Sequence, residues 1–133
     1  MKKHLLLPLI LLFLASLACQ TLLPGSGTQS GEFEGYYASG FEVSSFVPCG
    51  IAENPSYGNG YWLTGNTEFY NQYAALIQST GFDQSTGYLS VYVRFKGELS
   101  PQGTYGHLGA YEREVIVTEL LEMSIVSVDL QCH

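Results

Sequence analysis

Positive charge is scarce in this chain. Five lysines and arginines stand against 12 aspartates and glutamates in 133 residues, a formal net charge of −7 with the histidines neutral. A nucleic-acid binder needs a basic footprint to neutralise phosphates, so no nucleic-acid partner is expected. The acids are scattered and form no run, which fits a solubilising surface. Catalytic signatures are missing as well. There is no Gly-x-Ser-x-Gly elbow, no phosphate loop, no Cys-x-x-Cys and no His-Glu-x-x-His. No reaction is named, the chain does not read as an enzyme, and no cofactor is expected. Histidine is confined to His4, His107 and His133, without a His-x-His or His-x3-His spacing. A dedicated metal site wants more ligands than that. No apolar run reaches the roughly 20 residues that span a bilayer comfortably, and no internal repeat is visible.

What is present is most specific at the N-terminus. Lys2 and Lys3 precede an apolar run from Leu5 to Leu14, and Ala15-Ser16-Leu17-Ala18-Cys19 follows. This is the layout of a secretory signal peptide. With a cysteine at the cut it resembles a bacterial lipoprotein signal. The resemblance implies that Cys19 is lipidated and becomes the first mature residue, holding the chain to a membrane outside the cytoplasm. Ser16 and Leu17 stand in the reverse of the usual lipobox order, and Ser16-Leu17-Ala18 also fits simple secretion. Gln20 after the cysteine is compatible with outer-membrane sorting or with the outer face of a single membrane. Residues 1–18 are therefore read as signal, residues 19–31 as lipidated cysteine and Gly/Ser-rich tether, and residues 32–133 as one domain. Without Lys2 and Lys3, only Arg94, Lys96 and Arg113 face the 12 acids.

Lipidation of Cys19 leaves Cys49 and Cys132, an even pair in an oxidising compartment. A bridge between them closes about 80 residues and stabilises by roughly 4–5 kcal/mol on loop-entropy grounds. The competing reading makes Cys49 a nucleophile with His107 or His133 as its base.

Residues 33–47 read as one long strand, with Phe41, Val43 and Val47 on one face and a bend at Gly40. Pro48-Cys49-Gly50 stops it, and residues 51–60 form a loop. Tyr61–Thr64 is a short strand. Asn66 or Thr67 caps a helix whose stripe is Phe69, Tyr73, Leu76 and Ile77, closed by Gly81. Tyr88–Lys96, extending to Leu99, is a strand with Leu89, Val91, Val93 and Phe95 inward. Residues 100–110 are irregular. Residues 112–128 form the last strand system, with Val115, Val117, Leu121, Met123 and Ile125 inward and a bulge or break at 124–126, after which Val126, Val128 and Leu130 follow the opposite parity.

The expected fold is mainly β with one helix, a small antiparallel OB-like barrel or a partly open barrel of about five strands. Such barrels usually place the helix between the third and fourth strands, so the long first strand has to serve as two. The segments 41–49, 61–63 and 105–114 resemble small, functionally uncharacterised exported bacterial proteins, a likeness that implies no activity.

The candidate binding surface is Glu42, Trp62, Tyr92, Arg94 and His107. Trp62 and Tyr92, with Tyr36 and Tyr88, offer flat area with polar tips for a protein or for sugar stacking. Glu42 and Arg94 are expected to pair across strands. His107 sits in a Gly-rich loop, where function often resides. The expected function is a membrane-anchored, non-catalytic binding domain for an envelope protein or glycan. The alternative is a small-ligand or metal-ion site built on His107 and nearby acids. Glu42 with Glu98, or Glu112 with Glu114, are weaker candidates for a paired-carboxylate site.

Overall fold

In the computed structural model, residues 27–51, 60–126 and Cys132 are described. The signal segment, Cys19 and the tether up to residue 26 lie outside them, as do residues 52–59, Val128, Leu130 and His133. The elements are β1 (Gln29–Gly40), β2 (Val43–Pro48), β3 (Tyr61–Thr64), helix α1 (Thr67–Thr80), β4 (Val91–Leu99) and β5 (Glu114–Ile125), with single 3-10 turns at Gln84–Thr86 and His107–Gly109. Among the described residues no helix is long and apolar enough to cross a membrane.

The expected first strand is a hairpin. Gly40 pairs with Val43, and Phe41-Glu42 make the turn between β1 and β2. Three strands therefore precede α1, and the sheet closes in the order β1-β2-β3-β5-β4. The ring of five strands with one helix fits the expected partly open barrel, and it is uneven because β3 has only four residues. One pairing is not antiparallel: β3 runs parallel to β5. β1 also begins earlier than expected, since Gln29, Ser30 and Gly31 pair with Leu99, Glu98 and Gly97. The last residues of the presumed tether are thus strand.

The hairpin changes which side chains face inward. Tyr37 and Phe46 pair across it and are fully buried. Val43 and Val47 point to the other face, and Phe41 leaves the sheet altogether. In β5 the bulges also differ from expectation. The register against β4 slips between Arg94 and Phe95 and between Lys96 and Gly97, so Leu121 and Thr118 are skipped in the strand pairing. Each slip reverses parity. Leu120, not Leu121, consequently packs on the core, and Met123 and Ile125 return inward. No shift falls at 124–126 within the described part of β5.

The interior is aromatic. Phe95 of β4 lies 5.6 Å from Phe33, 5.0 Å from Phe46 and 6.4 Å from Phe69, ring centre to ring centre. Tyr37 meets Phe69 and Tyr73 edge-on at 4.9 and 5.0 Å. The α1 stripe of Phe69, Tyr73 and Ile77 thereby plugs the ring. Asn66 caps the helix by accepting from the Phe69 N–H at 2.9 Å, and Gly81 closes it in the left-handed conformation. The Cys49–Cys132 disulfide forms.

The strands are staggered around the ring, as barrel closure requires. Ser30 meets Glu98, Ile116 and then Thr64 in one direction. From the other direction β1 reaches the same β3 strand through Ala38, Ser45 and Trp62. Opposite ends of β1 therefore approach the same region of β3. This stagger carries the long β4–β5 connection, which starts beside the beginning of β1, round to the turn at its end.

Candidate functional site

The meeting of the β1–β2 turn with the β4–β5 connection is the most distinctive surface feature. His107 Nε2 lies 3.2 Å from Glu42 Oε2, with both side chains a little under half exposed. Each connection carries one non-glycine residue in the left-handed region, Glu42 at φ 59° and Leu108 at φ 55°. Such residues are uncommon and carry backbone strain. Next to this contact in sequence, Phe41 is 83% and Leu108 92% exposed. Two large apolar side chains thus stand in water on strained turns, flanking a carboxylate and an imidazole.

Both supports of this tip are firm. The turn is anchored at its base by a buried polar network. Tyr37 Oη and Ser44 Oγ lie 3.2 Å apart, Ser44 donates to the Leu63 carbonyl, and Tyr73 Oη accepts from the Ser39 N–H at 3.2 Å. Burial pushes the Tyr37 phenol up to about 12, so this network stays neutral across the physiological range. The β4–β5 connection is held by paired backbone bonds between Tyr105 and Tyr111 at 2.9 and 3.2 Å, by the Gly103 N–H donating to Glu112 O at 2.9 Å, and by Arg113 Nη1 donating to Ser100 O at 2.9 Å.

Trp62 is the post on which that connection rests. Its ring packs edge-on to Tyr111 at 5.5 Å. Gly106 lies over its other part with φ 70°, and a Cβ there would collide with both the Trp62 and Tyr111 rings. Only glycine suits that seat.

The expected surface therefore divides. Glu42, Trp62 and His107 come together, although Trp62 supports the loop instead of offering an open platform. Tyr92 and Arg94 lie on β4, which pairs with β1 and β5 and not with β2 or β3. Tyr92 faces outward between Tyr36 and Ser124 yet is only 7% exposed. Burial, with Glu34 beside the hydroxyl, pushes it up to about 12. The expected Glu42–Arg94 pair does not form, because Glu42 is in the turn and not in a strand. Arg94 instead pairs with Glu32 at 2.8 Å and Glu122 at 3.6 Å, and Lys96 pairs with Glu119 at 2.7 Å. The partner carboxylates raise both cations above their ordinary values.

Cys49 is no nucleophile, since its sulfur is bound to Cys132. Glu112 accepts from Gln102 and Glu114 from Thr64, which ties both to local structure. Among the described residues no group of three or more metal-ligating side chains is assembled, and Glu42 is the one carboxylate paired with His107.

Sequence reading missed Phe41, Leu108, Gly106 and Tyr111. Phe41 was hidden in an apolar alternation that continues through the turn. The spacing of Gly106 and Gly109 around Leu108 was the available sign of a tight loop. No family model, no curated protein and no solved structure matches the chain.

Proposed function

We propose that the chain is a lipid-anchored extracytoplasmic protein whose body is a non-catalytic binding domain, and that it engages a protein partner at the cell envelope through the tip formed by Phe41, Glu42, His107 and Leu108. The N-terminal signal with its cysteine supports the address. The observation that carries the binding surface is the pairing of two almost fully exposed apolar side chains on turns fixed from below. Exposed apolar area rimmed by polar groups is characteristic of interaction sites, and fixed loops lose little entropy on binding. A glycan partner is favoured less, because Trp62 is covered by Gly106 and Tyr111, which leaves Phe41 as the open ring of the tip, and its exposed companion Leu108 is aliphatic.

The test is site-specific photo-cross-linking in the native cells, with the probe at Leu108 and, as control, at Lys96 on the ion-paired face. The reading expects an adduct to one discrete protein from Leu108 and none from Lys96. Equal adducts from both positions, or specific retention by cell-wall glycan without protein adducts, would overturn it. Mass spectrometry of the mature N-terminus tests the anchor: an acylated Cys19 is expected, and a free thiol there contradicts it.

The alternative reading is a metal-ion or small-ligand site on His107. Its one support is the Glu42 contact, which supplies two donors where zinc usually takes four. A melting midpoint raised several degrees by zinc and lowered by chelator would favour this alternative.

A further inference from the structure

We infer that the tip receives a cationic, apolar segment of its protein partner, and that the Glu42 carboxylate passes from His107 to a lysine or arginine of that segment. This rests on the tip being the docking surface. Charge complementarity argues for it. The two connections and the first residue of β5 carry Glu42, Glu112 and Glu114 against a single guanidinium, Arg113. Arg113 is already held by Ser100 O. The other described cations, Arg94 and Lys96, are committed to carboxylates on the β1–β4–β5 face. Three carboxylates against one guanidinium leave the connections that carry Phe41 and Leu108 net negative.

His107 is a replaceable partner for the Glu42 carboxylate, 3.2 Å away. Toward it the β1–β2 turn presents Glu42. On its own connection Tyr105 donates to Pro101 O, Tyr111 packs on Trp62 and Glu112 accepts from Gln102. An exposed pair of this kind is weak, so a partner's permanent cation displaces it readily.

The full chain, purified in a non-ionic detergent, is titrated with fluorescein-labelled octapeptides of alternating lysine and valine or of alternating glutamate and valine, read by anisotropy. The lysine peptide should bind, and the glutamate peptide at least about tenfold more weakly. Affinity for the lysine peptide should fall about tenfold in the Phe41→Ser, Leu108→Ser double variant, whose micelles are the same. It should fall several-fold in Glu42→Gln. It should not fall in His107→Gln, which removes the competing imidazole. Melting curves of the variants check that they fold. Equal binding of both peptides, or binding indifferent to the Phe41, Leu108 and Glu42 changes, overturns the inference. If cross-links from Leu108 persist in that case, the docking surface stands and only the partner's chemistry is wrong.

Discussion

Two phenylalanines, Phe95 and Phe41, mark the contrast between the ring interior and the loop tip. Phe95 is fully buried and touches rings from β1, β2 and α1, while Phe41 is 83% exposed on a strained turn. The charges divide the same way. On the β1–β4–β5 face each lysine or arginine has a carboxylate partner. At the tip, Glu42 has only an imidazole among the described residues. One region holds the fold together, and the other spends nothing on it, which is what a recognition surface allows.

The largest test of that contrast is a pair of matched truncations. Phe95→Ala should cost about 3–5 kcal/mol in a denaturant melt, whereas Phe41→Ala should stay within about 0.5 kcal/mol. Similar costs at both positions would erase the distinction.

That distinction was only half legible in the sequence. The interior was readable because periodicity reports burial: the α1 stripe, the alternation of β4 and the Asn66 and Gly81 caps all follow from local spacing. The tip was not, for three physical reasons. Phe41 and Glu42 continue an alternating apolar pattern, so nothing local distinguishes a turn from a strand running on. The two bulges in β5 change parity twice and restore it, leaving a pattern that reads as nearly regular. The Glu42–His107 contact depends on the stagger of the closed ring, which brings together segments 65 positions apart in number and is invisible until register is fixed.

The next largest effect is alkaline. The folded Tyr37 phenol titrates near 12 against an ordinary value of 10. A raised value means its contribution is complete below pH 10 and is lost as pH climbs toward 12, roughly 2–3 kcal/mol in all. Stability measured across pH 9–12 should fall through that window, and Tyr37→Phe should remove the share due to Tyr37, leaving that of Tyr73 and Tyr92, which are raised as well. An unchanged profile in the variant would remove Tyr37 from the anchor of the turn.

Gly106→Ala should cost about 1–3 kcal/mol, because the new methyl meets the Trp62 ring and the backbone is left-handed. Trp62 is the only tryptophan, so its emission reports the displaced loop directly. Wild-type emission and stability would mean the loop does not rest on Trp62. The mildest change is Asn66→Ala, at about 1 kcal/mol from loss of the helix cap. It should leave peptide binding at the tip untouched, and a binding defect there would couple the helix cap to the tip.

The contact that joins the two remote connections can be observed without any partner. Nuclear Overhauser measurements on the full chain should show cross-peaks between the Glu42 side-chain protons and the His107 ring, and between Gly106 and the Trp62 ring. Trp62–Gly106 cross-peaks with none between Glu42 and His107 would mean that the turn and the loop are independent, and the single tip on which the functional reading stands would not exist.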